Sequence, residues 1–278
     1  MSRRPLAVVT GGTRGIGRAT CLVLASKGYD IACVFRSDNS QKEFKSLMTE
    51  INGSRTSISN FQYDISQEDS VELLFQDIVS IFGREPTCLV NNAGILGPKD
   101  ERDIVNMKKE DMDAVLATNV YGPFYCCREF VKRRRAEATK ALTTKSAQAS
   151  DKEDRDDEEP AAKKRKNVAG GSIVNVTSGL MKLKGHPLFY AMSKGALDSM
   201  MVGLSKSLPE SDGIRINAVA PGTTKTDLVS DERAEQVKGD IPMGRVGSPK
   251  EVAEAIAFLL GDSSSYCCGT TLSVTGGR

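Results

Sequence analysis

The stretch VTGGTRGIG, residues 9–17, lies close to the start of the chain and decides how the rest is read. A tight turn needs one glycine or two to supply positive φ. Four glycines, Gly11, Gly12, Gly15 and Gly17, follow directly on the short β-branched run LAVVT (6–10) and precede a segment, 18–27, with helical apolar spacing. Strand, glycine loop and helix in that order form the setting in which backbone approaches a pyrophosphate and a helix N-terminus faces its charge. The spacing is TGxxxGxG, one residue longer between the outer glycines than the usual dinucleotide fingerprint.

The same unit repeats outward from this loop. Strands are expected at 31–35 (IACVF), 59–64, 88–94, 172–178, 214–222 and 271–277, with helices at 41–51, 70–82, about 112–132, 189–208 and 249–260. Strands apolar on both sides that alternate with helices imply a parallel sheet covered on both faces. The expected fold is α/β: a single doubly wound Rossmann-type domain spanning 1–278, about seven parallel strands with helices on both faces. Between these elements, 135–168 carries an acidic run, a basic run and almost no large apolar side chains. It cannot offset its own ordering entropy and is expected to be a disordered charged insertion. Joining a helix end to a strand start, it falls at the sheet edge opposite the one where ligands bind.

Composition narrows the class. The chain has 278 residues, 39% of them hydrophobic and 27% charged, with a net charge of +2. That balance gives no global attraction to nucleic acid. Seven cysteines, with two adjacent pairs and no CxxC, fit neither a disulfide framework nor a zinc site, so no metal is expected and the thiols read as reduced. The first apolar run begins at Leu6, which leaves no secretory leader, and no run reaches the ~18 apolar residues of a membrane span. A cytoplasmic location is expected. The run KKRK (163–166) reads as a solvated basic tract or a nuclear targeting signal.

Cofactor choice is read at the end of the second strand, where an acidic side chain would bind the ribose hydroxyls of NAD. Phe35 and Arg36 stand there instead. Arg14 in the loop and Arg36 beside it can form charge-assisted bonds to a 2′-phosphate, so NADP(H) is expected. In YAMSK (190–194), Tyr190 and Lys194 stand at i and i+4 on one helix face. A phenol ionises near pKa 10, and a neighbouring ammonium is expected to lower that value, making Tyr190 a general acid for carbonyl reduction. Ser178, twelve residues earlier at a strand end, can hydrogen-bond the same substrate oxygen. Asn119, in TNVYG, offers a buried amide to hold its helix open and bind a water leading to Lys194.

With TGGTRGIG (10–17), YDI (63–65), NNAG (91–94), TNV (118–120), SIVNVTS (172–178), YAMSK (190–194), RINAVAPGTTKTD (215–227), 241–260 and VTGG (274–277) in order, the chain resembles the short-chain dehydrogenase/reductase family. Within it the pattern is similar to 3-oxoacyl-[acyl-carrier-protein] reductases and to related sugar and steroid dehydrogenases. The resemblance implies a catalytic tetrad of Asn119, Ser178, Tyr190 and Lys194, with Lys194 also binding the nicotinamide ribose. It places Gly11, Thr13, Arg14, Gly15, Ile16 and Gly17 at the phosphates, with Asp64 and Ile65 beside the adenine. Asn91, Ala93 and Gly94 support the sheet and the adenine ribose, and Pro221, Gly222, Thr224 and Thr226 contact the carboxamide and pyrophosphate.

The Ser178-to-Tyr190 spacing is one residue shorter than usual, leaving Thr177 as an alternative source of the hydroxyl. VTGGR replaces the commoner VDGG, which can weaken subunit contacts. The resemblance implies a homodimer or homotetramer built on the helices near 112–132 and 189–208. It also implies a small carbonyl substrate, free or carrier-bound. A basic stretch, KRRR (132–135), favours an acidic carrier, whereas Asp212 stands where a second cation is usual. Residues 227–243, with Leu228, Val229 and Ile241, are expected to form a mobile lid. His186, the only histidine, has no visible partner. The alternative to an enzyme is an idle dinucleotide-binding sensor with the insertion as its interaction arm, a role that has no need of the Tyr190/Lys194 pair.

Overall fold

A computed structural model describes residues 4–51, 55–98, 102–149, 170–179, 187–227 and 229–278. Seven strands form one all-parallel sheet in the order β3-β2-β1-β4-β5-β6-β7. They are β1 (Leu6–Thr10), β2 (Asp30–Phe35), β3 (Ile58–Gln62), β4 (Cys88–Asn91), β5 (Gly171–Val176), β6 (Ile214–Pro221) and β7 (Thr271–Val274). β1, β2, β4 and β5 are buried along their whole length, as their continuous apolar runs require of strands covered on both faces. Most strands stop short of their expected C-terminal limits because residues 92–94, 177–178, 222 and 275–277 turn away as loops.

Two apolar layers flank the sheet. On one face α1 (Gly15–Ser26), α2 (Ser40–Ile51) and α9 (Pro249–Leu260) bury Leu24, Phe44, Leu47, Val252 and Ile256. On the other, α3 (Glu68–Phe82), α5 (Gly122–Ala149) and α6 (Leu188–Leu204) bury Leu74, Phe75, Ile78, Phe130 and Met201. Local chemistry sets several ends. Gly83, left-handed at φ 65°, closes α3, while Ser248 and Glu251 form a reciprocal capping box ahead of Pro249. α4 (Lys109–Leu116), α7 (Leu208–Asp212) and α8 (Asp231–Lys238) complete the order.

Three expectations are corrected. The single helix expected at 112–132 is α4 followed by one wider π-helical turn, Ala117–Tyr121, and then α5. α5 does not stop near Lys132 but continues to Ala149, through the first part of the segment expected to be disordered. Its continuation, AEATKALTTKSAQA (136–149), consists largely of good helix formers. Propagating a packed helix adds one hydrogen bond per residue without a new nucleus, so low apolar content does not end it. Residues 150–168 of that segment lie outside the described residues. The helix expected at 189–208 ends at Leu204, and Pro209 sits in the first turn of the separate α7.

Candidate active site

The C-terminal ends of β1, β4, β5 and β6 bring most of the expected residues to one sheet edge. At β1, Gly11 (φ 64°) and Gly15 (φ 53°) occupy the left-handed region. A Cβ on Gly17 would lie 2.1 Å from the Gly11 carbonyl oxygen, so only glycine lets α1 begin this close to the loop. No side chain caps α1, and its first N–H groups face the edge. Asn92 pins the loop from β4: its Nδ2 donates to the Thr10 (2.9 Å) and Gly11 (3.2 Å) carbonyls. The N–H groups of Asn92 and Ala93 donate to Thr10 Oγ1 at 3.0 and 3.1 Å. Asn92 was not among the expected residues, although its place in NNAG was the available signal.

Thr13 is buried, while Arg14, the residue before α1, and Arg36, the residue after β2, are exposed. Neither guanidinium bonds to a described residue. The nearest following carboxylate, Asp38, accepts from Gln62 Nε2 at 2.7 Å. Asp64 closes a turn by accepting from the Ser66 N–H, and Ile65 is buried against Gly122. From β6, Gly222 is tied to Val274 and Thr224 Oγ1 donates to the Gly222 carbonyl. A Cβ built on Gly15 would lie 3.4 Å from Thr226 Cγ2, so this loop reaches the glycine loop. Asn91 is the exception. It is buried within the sheet, its Nδ2 donating to Asn175 Oδ1 (2.9 Å) and Cys127 Sγ (3.3 Å), and it braces β4 to β5 instead of facing the crevice.

The four residues expected to act on substrate converge beside this crevice. Lys194, 3% exposed, donates from Nζ to the Val176 carbonyl at 2.7 Å and lies 5.6 Å from the centre of the Tyr190 ring. A Cβ on Gly94 would lie 3.4 Å from that Nζ and 3.2 Å from Asn119 Oδ1. Asn119 sits in the π-helical turn. Its Nδ2 donates to the Ile95 carbonyl and to Ser193 Oγ, both at 2.9 Å, and its Oδ1 accepts from the Ile95 N–H at 2.9 Å. Asn119 therefore locks the loop after β4 to α6; Ser193, its partner, was not anticipated. Ser178 hydrogen-bonds the Tyr190 phenol, whereas Thr177 Oγ1 donates to the Val219 carbonyl at 3.3 Å.

Electrostatics correct one expectation. Burial raises the Tyr190 phenol above its ordinary pKa, and the hydrogen bond with Ser178 only partly counters it. Burial also lowers the Lys194 ammonium to about 8, so the cation expected to acidify the phenol is itself easily neutralised. In this fold desolvation outweighs the neighbouring charge.

A cleft of about 160 Å³ lies at the start of α6, lined by Pro98, Met107, Leu188 and Phe189 together with Asn106, Lys108 and Asp111; Tyr190 is not among its lining residues. It was not anticipated from sequence. In the expected lid, Ser230 caps α8 through the Arg233 N–H, and Ile241 is buried; Leu228 lies outside the described residues, as do His186 and Lys163–Lys166. The basic stretch 132–135 does not present free cations: each of the four meets a carboxylate. All seven cysteines are free. No helix among the described residues is long and apolar enough to cross a membrane.

Comparison with known proteins agrees with this fold. The short chain dehydrogenase family model matches residues 5–154, and the model described as Enoyl-(Acyl carrier protein) reductase matches 158–278. The "Uncharacterized oxidoreductase YgfF" of Escherichia coli is 38% identical, over 98% of this chain and 99% of its own. A 3-oxoacyl-[acyl-carrier-protein] reductase, FabG, of Thermotoga maritima is 33% identical, over 98% and 96%. The structure of a 3-ketoacyl-(acyl-carrier-protein) reductase from Brucella melitensis complexed with NADH superposes with a TM-score of 0.80 at 25% identity, covering 99% of this chain and 98% of that one.

Proposed function

Because the chain belongs to the short-chain dehydrogenase/reductase family, a family of oxidoreductases, we propose that it interconverts a ketone and a secondary alcohol with NADP(H). The observation that carries this reading is the convergence of Ser178, Tyr190 and Lys194 on one point beside the glycine loop. The loop fits a dinucleotide: Gly11, Gly15 and Gly17 leave room where any Cβ would intrude, and the uncapped start of α1 complements a pyrophosphate. Thr13, Ile16 and Thr226 would border that position, Asp64, Ile65, Ala93 and Gly94 would border the adenosine, and Pro221, Gly222 and Thr224 would border the nicotinamide of a bound cofactor. Arg14 and Arg36, unpaired among the described residues, suit a 2′-phosphate.

When bound, the nicotinamide supplies or accepts the hydride. The protein handles the proton. In reduction Tyr190 must keep its proton until negative charge develops on the substrate oxygen, and its raised pKa holds the phenol protonated through neutral pH. Ser178 supplies a second hydrogen bond to that oxygen. Lys194, charged below about pH 8, faces the ring and stabilises the phenolate left by proton transfer. Asn119 positions Lys194 and Tyr190 by fixing α6 against the loop at Ile95. Among substrates, a 3-oxoacyl thioester or another small ketone is favoured by the likeness to a 3-oxoacyl-[acyl-carrier-protein] reductase.

The test is the carbonyl-dependent oxidation of NADPH across acetoacetyl thioesters, diketones, quinones and ketose sugars. Turnover with at least one ketone, faster with NADPH than NADH, is expected. Cofactor binding without turnover on any member would replace the enzyme with a dinucleotide-binding sensor.

A further inference from the structure

The chain leaving β7 runs along the candidate site, and residues 274–278 reach three of its parts in succession. The Val274 carbonyl accepts from the Gly222 N–H at 2.9 Å, in the loop assigned above to the nicotinamide. Thr275 packs against two glycines: a Cβ on Gly222 would lie 2.8 Å from Thr275 Cα, and one on Gly179, which follows Ser178, would lie 2.8 Å from Thr275 Cγ2. The Gly276 carbonyl accepts from the Met243 N–H at 3.1 Å. Gly276 (φ 69°) and Gly277 (φ 95°) are left-handed, and a Cβ on them would lie 2.8 Å from Ile241 Cγ2 and 3.0 Å from Pro242 Cγ respectively. Glycine is needed at both to bring the chain down onto 241–243. Arg278 completes the run, its Nη2 donating to Asp240 Oδ2 at 2.8 Å.

Residues 240–243 are where the excursion that carries α8 rejoins the body. α8 buries only Val237 of its eight residues, so its position is set at its two ends. Ahead of it, Lys225 and Asp231 pair at 3.1 Å with side chains 67% and 86% exposed, an arrangement worth little. Behind it, Ile241 is buried and the Arg278 side chain is only 11% exposed, so the firm attachment is the one made by 276–278. Resting on the carbonyl-reductase reading above, we infer that Arg278 is a positioning residue for substrate binding: through Asp240 it latches segment 229–243, expected to close over the substrate, to the run 274–278 that also supports Gly179 and Gly222. Its hydrogen bond goes to Asp240 and to none of Ser178, Tyr190 and Lys194. Releasing the latch therefore weakens capture of the substrate without altering the proton transfer.

Arg278→Gln, Asp240→Asn and the double variant should be compared with the wild type in two ways: steady-state reduction of the most active ketone of the panel with NADPH, and amide hydrogen exchange of 229–243 with no cofactor added. Each single substitution is expected to raise KM for the ketone about 3–10-fold with kcat within about twofold, and the double variant to be no worse than either single, because both remove the same bond. Arg278→Lys, which keeps the charge and needs to make only one bond, should return KM to within about twofold of wild type. Exchange in 229–243 should quicken at least about threefold in the single variants while β1 and β5 are unchanged. A KM within about 1.5-fold of wild type, KM effects that multiply in the double variant, a loss confined to kcat, or failure of Arg278→Lys to rescue would overturn the inference. So would unaltered exchange in 229–243, or faster exchange that spreads to β1 and β5. If no ketone turns over in the wild type, the reductase reading fails, and the exchange result alone decides the latch.

Discussion

The two edges of the sheet treat their charged side chains in opposite ways. At the C-terminal edge Arg14 and Arg36 have no partner among the described residues, and Lys194 is held by a backbone carbonyl instead of a carboxylate. At the N-terminal edge Arg84 pairs with Asp30, and Lys132 through Arg135 pair with Glu72, Glu85, Glu129, Glu137 and Asp212. Cations left uncompensated are available to an anionic ligand or a developing charge; compensated ones hold the fold together. A basic run in sequence therefore says little about binding until its partners are known.

The largest effect should come from the C-terminal edge. Tyr190→Phe removes only the hydroxyl and is expected to cut ketone reduction by about 10²–10⁴-fold. NADPH affinity should be unchanged, both measured on one sample by steady-state kinetics and fluorescence titration. Undiminished turnover would contradict the acid's identity. Next, at the other edge, Glu129→Ala strips a buried carboxylate from Arg133 and Lys132 and should lower unfolding stability by about 3–5 kcal/mol in a urea titration. A loss under about 1 kcal/mol would mean the network is dispensable.

A moderate effect is expected from pH. Lys194 carries its charge below about 8 and loses it above, while Tyr190 stays protonated throughout that range. kcat/KM for NADPH in the reductive direction should therefore be level at neutral pH and fall as pH rises through about 8. A profile level to about pH 10 would show that the Lys194 charge is not required or is not so easily lost. The smallest effect belongs to the exposed Glu72–Lys132 pair, where Glu72→Gln should shift stability by no more than about 0.5 kcal/mol by the same urea method.

Much of this was legible in sequence because it depends on neighbours in the chain. LAVVT, IACVF and SIVNVTS are short apolar runs between glycines and amphipathic segments, and the parallel sheet follows from their alternation. Tyr190 and Lys194 share a face because they are one helical turn apart. What was not legible depends on distance along the chain. Asp212 meets Arg135 across 77 residues, and Asn92 locks the glycine loop across 82. The direction of the Tyr190 shift depends on burial by the folded chain, which local sequence does not state. Two misses were local: the helix formers of 136–149 outweigh their lack of apolar faces, and α8 had a visible signal in Ser230 followed by Asp231 and Glu232.

The contrast between the edges is tested most directly by equilibrium binding of NADPH and NADH to the wild-type protein and to Arg36→Ala, which needs no knowledge of the substrate. If the unpaired guanidiniums grip a 2′-phosphate, the wild type prefers NADPH, and Arg36→Ala weakens NADPH by about 10–100-fold while leaving NADH nearly unchanged. Equal affinities for the two cofactors, or equal losses for both in the variant, would contradict the account.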